Sequence, residues 1–167
     1  MTLFAIVMMP LLLSLGTWQV QRGSEKRDLE NQYLTQLTQL PVPPTGFTMS
    51  QPFQALRLTG EYRDEMFLVD NQISNGKTGY WVFQVFNDDS AGRLLLNRGF
   101  IEAEGRLELP RAPRPRGKVT LVATVWPQLG LIPAWGEQIW ADGWPKRIQR
   151  ANVARMAEVA ETWPAEL

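Results

Sequence analysis

The N-terminal part of the sequence is an apolar run that ends abruptly in charge. Residues 3–15 are broken only by one proline and one serine, Trp18 follows, and closely spaced charges begin at Arg22. A helix of that length rises about 20 Å, so the run must continue to Val20 to approach the roughly 30 Å of a hydrocarbon core. Trp18 then lies at the headgroup level, where aromatic rings are favoured. The pattern predicts a transmembrane helix over residues 3–21; a cleaved signal peptide and a buried core helix are the alternatives.

A second helical pattern follows the apolar run. Four large apolar residues recur at spacings of four, four and three, which places them on one face of an α-helix. These residues are Leu29, Tyr33, Leu37 and Leu40. Prolines from Pro41 onward end the pattern. We therefore predict that the first helix continues into an amphipathic stalk helix over residues 22–40.

The apolar pattern then changes to a period of two. Short apolar stretches alternate with turn residues, and the Asn75-Gly76 pair suits a tight hairpin. Closely spaced strands with such turns indicate an antiparallel β-sandwich or barrel over residues 53–150. Asn152 can cap a short helix over residues 151–163. We expect a mainly β protein with a helix at each end.

Composition excludes several classes of function. Among the 167 residues, 17 are Lys or Arg and 17 are Asp or Glu, so no net charge recruits nucleic acid. Histidine and cysteine are both absent, which removes disulfides, thiolate metal sites, histidine-based triads and the usual haem ligand. We expect no metal site and no catalytic residues.

Two pairs of adjacent acids could serve acid–base chemistry. Asp64-Glu65 and Asp88-Asp89 would do so if burial separated the pKa values within each pair. Both pairs occur in turn-like sequence, so we predict that they are solvated loop carboxylates. A membrane-tethered extracytoplasmic hydrolase that uses paired carboxylates is the alternative function.

Three further features could contact a partner. Asn97 and Arg98 interrupt an apolar strand. A buried arginine must be paired, so a structural salt bridge and a binding role both stay open.

Residues 110–117 carry three arginines among prolines, which predicts an exposed extended loop and leaves contact with anionic lipid headgroups or an acidic partner open. A cluster of tryptophans suits either an aromatic core or a contact surface; it comprises Trp126, Trp135, Trp140 and Trp144.

Five segments, in chain order, resemble the Surfeit locus protein 1 family. "LGTWQVQRGSEK" resembles the signature Leu-Gly-x-Trp-Gln-x-x-Arg with a lysine soon after. "LRLTGEY" resembles the family's first strand, and "FLVDNQISNGKTGYWVFQVF" its long hairpin. "LLLNRGFI" resembles its Asn-Arg-Gly strand, and "WPKRIQ" its late Arg-x-x-Gln region. The matching positions that we single out, for contact or for structure, are Trp18, Gln19, Arg22, Lys26, Gly79, Tyr80, Asn97, Arg98 and Gly99.

The resemblance implies a membrane-anchored, non-catalytic assembly factor for haem-copper cytochrome c oxidase, with assistance in delivering haem a to subunit I. It places the β-domain on the periplasmic side of the bacterial inner membrane. The implied partners are subunit I, other assembly factors and the lipid bilayer. The family's histidine-bearing second membrane helix has no match in this sequence, so haem a rests on resemblance alone and the cofactor-binding residues stay unknown. A β-domain adaptor that binds protein and never meets haem is a further alternative.

Overall fold

A computed structural model describes residues 2–46, 48–103, 105, 109–127, 139–164 and 167 of the chain. The chain divides into two compact units, Met1–Gln39 and Leu40–Leu167. The first unit is helical, and the second, called the β-domain below, is a sheet with a short helix near its end.

Helix α1, Thr2–Leu37, makes up the first unit. It continues through Pro10 and through the charged stretch, where Arg22 donates to Glu25 at 3.0 Å. The predicted continuity of the N-terminal helix is therefore confirmed. No helix among the described residues is long and apolar enough to cross a membrane. The transmembrane helix over residues 3–21 stays a prediction.

The β-domain is built on one five-stranded sheet. Its elements are a 3₁₀ turn at Thr48–Ser50, β1 at Ala55–Ser74, β2 at Lys77–Asp88, β3 at Gly92–Glu102, β4 at Val119–Thr124, β5 at Lys146–Ile148 and α2 at Val153–Ala160. The order across the sheet is β3-β2-β1-β4 with antiparallel pairing, and β5 pairs with β1 in parallel. The predicted antiparallel fold is confirmed for four strands. The long connection after β4 allows β5 to return in parallel, and the described residues do not contain the second sheet of a sandwich.

One long hairpin forms the centre of the sheet. β1 runs for 20 residues and joins two stretches that look like separate strands in the sequence. Asn75 and Gly76 connect it to β2 with φ angles of +50° and +76°, as a two-residue type I′ turn requires. The hairpin predicted from this pair is confirmed.

Apolar side chains cover both faces of the sheet. On one face, Phe67 and Phe83 pack with Met156 of α2; on the other, Leu58 and Phe86 belong to a separate cluster. None of these five side chains is more than 3% exposed. Burial on both faces explains why β2 has a continuous apolar sequence instead of an alternating one.

Helix α2 begins at the residue that the sequence indicated. Oδ1 of Asn152 accepts a hydrogen bond from the Arg155 backbone N–H at 3.1 Å, which caps the helix. At the other end, the Ala160 carbonyl accepts from Nη2 of Arg93 in β3 at 2.7 Å. The short C-terminal helix is therefore confirmed, and contacts at both of its ends fix it.

Three irregularities interrupt the pairing on either side of β2. In β1 they fall at residues 63–65 and 70–71. In β3 the bulge comprises Arg98 and Gly99. A bulge bends its strand and re-aims the side chains that it carries, so polar groups can point inward at places where the regular alternation would not put them.

Candidate functional site

The Asn97-Arg98-Gly99 segment forms the bulge in β3. Gly99 has a φ of +91°, a conformation that residues with a Cβ rarely adopt. Its backbone N–H donates to Oδ1 of Asn97 at 2.9 Å, which fixes the bulge locally. Arg98 is thereby directed to the sheet face that carries Tyr62. The outer two residues of this segment position the middle one.

A series of hydrogen bonds through a buried amide crosses the sheet at Gln84. This side chain lies on the central strand β2 and is fully buried. Its Nε2 donates to the Arg63 carbonyl at 2.6 Å, and its Oε1 accepts from Nη1 of Arg98 at 2.6 Å. One amide therefore joins the first β1 irregularity to the β3 bulge, with its donor and its acceptor both satisfied.

Arg98 is held entirely by neutral groups. Its Nη2 donates to the Pro113 carbonyl at 2.9 Å, and its guanidinium carbon lies 5.0 Å from the centre of the Tyr62 ring, a cation–π arrangement. Burial raises the pKa of the Tyr62 phenol, and the nearby guanidinium only partly opposes this effect. In the described structure the hydrogen bonds of Arg98 go to an amide and a carbonyl, and none of the ion pairs there includes it.

A pocket of about 370 Å³ lies beside Arg98, within the size range of ligand pockets. Residues 96–98 of β3 and 121–124 of β4 form its walls, and Tyr62 and Leu167 complete the lining. These are the two end strands of the order β3-β2-β1-β4. Residues from both end strands of this order therefore line one cavity.

The arginine-rich loop, residues 110–117, is tied to the same pocket. Arg114 donates to the Tyr62 carbonyl and to Oδ1 of Asp64, at 3.1 Å in each case, while Arg98 holds Pro113. The loop has no regular secondary structure and its three arginines are exposed. The predicted exposed loop is thus confirmed, and it borders the pocket.

The second family-like pair, Gly79 and Tyr80, has a different environment. A Cβ at Gly79 would lie 2.1 Å from the Ile101 carbonyl oxygen, so glycine permits the close approach of β2 and β3. Tyr80 is 2% exposed, and the Arg147 guanidinium carbon lies 5.8 Å from its ring centre. Nε of Arg147 donates to Asp70 at 2.8 Å, and this hydrogen bond raises the pKa of the guanidinium. These contacts are internal to the domain.

Asp88 overturns one prediction from the sequence. It is 3% exposed, whereas we expected a solvated loop carboxylate. Its oxygens accept from the backbone N–H groups of Thr59, Ser90 and Ala91 at 2.8–2.9 Å. Burial alone would raise the pKa of Asp88, but these hydrogen bonds outweigh burial and hold that pKa below its ordinary value. The turn donors replace water, and the carboxylate closes the turn between β2 and β3.

The remaining acids of the two pairs each contact a different cation. The ion pairs are Asp64–Arg114 at 3.1 Å, Glu65–Arg93 at 3.0 Å and Asp89–Lys118 at 2.7 Å. Neighbouring acids are therefore separated by their partners instead of facing a shared substrate position. Within the described ranges, this arrangement gives the hydrolase alternative no support.

The tryptophans divide between core and surface. Trp140 and Trp144 pack edge-on against Phe67, with ring centres 5.6 and 5.0 Å away. Trp126 packs against Phe53 but is 46% exposed. Trp135 lies outside the described residues. The aromatic-core option therefore holds for Trp140, which is partly buried against the core, while the other two described members of the cluster keep an exposed side.

The other four family-like positions lie on α1. Trp18, Arg22 and Lys26 recur every four residues, so they share one side of the helix, and Gln19 adjoins them. These four residues belong to the first unit, and the other five belong to the β-domain. The structure therefore sorts the predicted site residues into two groups on different units.

The ligand types that metals and haem prefer are scarce among the described residues. The described part of the chain holds no group of three or more His, Cys, Asp or Glu that could bind a metal. The sequence has no histidine or cysteine, and Met49 and Met156 are 4% and 0% exposed within apolar clusters. Buried in apolar clusters, Met49 and Met156 do not fit an axial haem ligand, whereas Met9 on α1 is 65% exposed.

Sequence reasoning missed Gln84 and Tyr62, which complete the surroundings of Arg98. Each carried a weak signal. Gln84 is a lone amide in the apolar stretch "VFQVF", and Tyr62 closes the stretch "LRLTGEY". Such signals do not identify the partner across the sheet, because the contacts join residues 14 or more positions apart.

Comparison with known proteins agrees with the resemblance. The model of the SURF1 family matches residues 6–167. The cytochrome oxidase assembly protein SHY1 of Saccharomyces cerevisiae is 38% identical over 98 residues, which cover 54% of this chain and 25% of that protein. A SURF1-like protein of Rickettsia felis is 24% identical over 117 residues, which cover 68% of this chain and 52% of that protein. The matches thus span a quarter to about half of these relatives, and because the family model covers nearly the whole sequence, the chain belongs to the SURF1 family.

Proposed function

We propose that this chain is a non-catalytic assembly factor for cytochrome c oxidase, respiratory complex IV. The observation that carries the proposal is the family match over residues 6–167, together with a yeast relative named as a cytochrome oxidase assembly protein. The pocket supports a binding role for the chain, because Arg98 lines it and donates its hydrogen bonds to neutral groups. Arginine in a concave site is a residue of recognition more often than of covalent chemistry.

Two surfaces are assigned to contact with partners. One is the side of α1 with Trp18, Arg22 and Lys26; the other is the pocket beside Arg98. The partners under this proposal are subunit I of the oxidase and other assembly factors. The adaptor alternative uses the same two surfaces and differs only in that its client carries no haem.

The narrower form of the proposal is assistance in delivering haem a to subunit I. Met49 and Met156 do not fit a haem ligand, so in this form the chain contributes protein contacts and the ligand comes from another residue. Haem a content of the oxidase is the quantity that separates this narrower form from assembly of the protein subunits alone.

The proposal places the β-domain on the periplasmic side of the inner membrane that holds the oxidase. The lack of cysteine offers a direct test, because a single introduced cysteine is then the only thiol. Ile73, close to the turn of the long hairpin, is 73% exposed, and Ile73→Cys should leave the core intact. A membrane-impermeant maleimide should label this variant in intact spheroplasts. Labelling that requires lysis would overturn the placement.

Deletion of the gene tests the function itself. We expect loss of oxidase activity and of its haem a absorbance, both restored by the full gene. Trp18→Ala and Arg22→Gln should reduce restoration without destabilising the β-domain, because both residues lie in the other unit. Glu30→Gln, also on α1 but outside the family-like positions, is the matched control. Normal oxidase content in the deletion strain would refute the function.

A further inference from the structure

The guanidinium of Arg98 has unused binding capacity. An arginine side chain carries five N–H donors, and the hydrogen bonds of Arg98 go to Gln84 and to the Pro113 carbonyl. Both acceptors are neutral, and the face of the Tyr62 ring adds only a partial negative charge. A cation in this setting retains its full charge and free donors for an anion.

The unused donors belong to a residue that lines the pocket. Leu96, Leu121 and Ala123 supply an apolar wall, while Asn97 and Thr124 supply polar groups. Of the acids close to Tyr62 in sequence, Asp64 is engaged by Arg114 and Glu65 by Arg93. The adjacent Glu61 is exposed, and its charge acts on Lys118. Among the described residues no acidic side chain forms an ion pair with Arg98, so this part of the pocket combines apolar surface with a positive charge.

The rim of the pocket adds charge of the same sign. Arg111 and Arg116 lie on the exposed arginine-rich loop, whose middle residues contact Arg98 and Tyr62. Among the described residues neither has a hydrogen bond or an ion pair. Charge complementarity thus favours an acidic occupant over a neutral one.

The shape of the site favours an extended peptide. Residues 121–124 of β4 line the pocket and pair with β1 along one edge only. In the described structure the other edge of β4 has no strand beside it, and such an edge presents backbone donors and acceptors to an added strand. Val122 on this strand is 59% exposed and can contact an arriving side chain.

We propose that this pocket binds an acidic, extended segment of a partner protein, with one Asp or Glu carboxylate on Arg98. The segment lies along the edge of β4 that has no strand beside it among the described residues, and its other acids meet the arginine-rich loop. This inference rests on the proposed function only for the identity of the partner protein that supplies the segment. Peptide binding is measured on purified protein and oxidase assembly in cells, so the two can fail separately.

The test uses the full 167-residue chain and a fluorescein-labelled peptide of alternating Val and Thr with a central Glu. The matched probe has Gln in place of Glu. A charge-assisted hydrogen bond should make the Glu peptide bind roughly tenfold more tightly, and the difference should shrink as salt rises. Equal affinity of the two peptides overturns the proposal.

Substitutions at Val122 locate the site without disturbing the core. Val122→Glu should weaken binding of the Glu peptide, and Val122→Lys should strengthen it. Lys77→Gln, an exposed position on β2 paired with Glu102, removes one positive charge elsewhere and should leave affinity unchanged. If Val122→Glu and Lys77→Gln weaken binding equally, only net charge matters and the site is wrong.

Arg98→Lys tests the guanidinium itself. Lysine keeps the charge but lacks the planar fork, so we expect the preference for Glu over Gln to fall at least severalfold while circular dichroism shows a folded sheet. An unchanged preference in folded Arg98→Lys overturns the proposal. Binding to phosphatidylglycerol vesicles with no binding of the acidic peptide also overturns it, in favour of a lipid surface.

Discussion

Replacing Gln84 with leucine should destabilise the β-domain by about 3 kcal/mol. The change removes the hydrogen bonds to the Arg63 carbonyl and to Arg98, both 2.6 Å long. A hydrogen bond to a charged group contributes about 1.5–3 kcal/mol, and a buried carbonyl left unpaired costs about 1–3 kcal/mol. The greater apolar burial of leucine offsets about 1–2 kcal/mol of this loss.

Urea unfolding of the full chain, followed by tryptophan fluorescence, measures this change. The midpoint should fall while the slope with urea stays the same, since the surface exposed on unfolding hardly changes. The matched variant is Gln84→Leu combined with Arg98→Met, which replaces both partners with apolar side chains. Removing both partners leaves one fewer buried polar group unpaired, so the double variant should lose less stability than the two single variants summed.

Two results would refute the reasoning about Gln84. A loss below about 0.5 kcal/mol for Gln84→Leu falls within the range of ordinary surface changes and would mean that the amide does not hold the two irregularities together. Strict additivity in the double variant would mean that Gln84 and Arg98 act independently, because coupled contacts show interaction energies of about 0.5–3 kcal/mol.

Three further predictions concern stability. Hydrogen bonds hold the folded-state pKa of Asp88 below its unfolded value. Its contribution to the free energy of unfolding is therefore present above the unfolded pKa and is lost as pH falls through the folded pKa. Urea titrations across the acid range should show that the free energy of unfolding of Asp88→Asn falls less steeply with decreasing pH than that of wild type. Gly79→Ala should place a Cβ against the Ile101 carbonyl and lower the melting temperature, whereas Gly105→Ala, where an added Cβ meets nothing within 4 Å, should be nearly neutral by the same thermal scan. Asn152→Ala should cost about 1 kcal/mol in urea unfolding through loss of the helix cap, and a loss near zero would contradict the capping role.

Features set by neighbouring residues were predictable from the sequence. The Asn75-Gly76 turn and the Asn152 cap depend on conformations that a few adjacent residues determine, and the structure contains both. The buried strand β2 was also predictable, because a strand covered on both faces must be apolar throughout. Local chemistry and burial patterns therefore determine most of the secondary structure.

Features that join distant residues could not be predicted in the same way. The sequence left the partner of Arg98 open, and the structure places it on Gln84 and Pro113, because a bulge in β3 and the path of a proline-rich loop decide which groups lie nearby. Asp88 looked like a loop acid, yet the backbone N–H of Thr59, from a neighbouring strand, donates to one of its carboxylate oxygens. A single sequence gives the residue types but not these pairings across the sheet.

The family-like Asn-Arg-Gly segment assigns a different task to each of its residues. Gly99 supplies a positive φ, and Asn97 accepts the Gly99 N–H, so both are explained by backbone geometry. Backbone geometry alone would not require arginine between them, since a bulge accepts many side chains at that position. Arg98 spans the buried amide of Gln84 and the pocket, and a neutral side chain could satisfy Gln84 at a lower desolvation cost. The charge at this position therefore has an explanation in binding that the fold by itself does not supply.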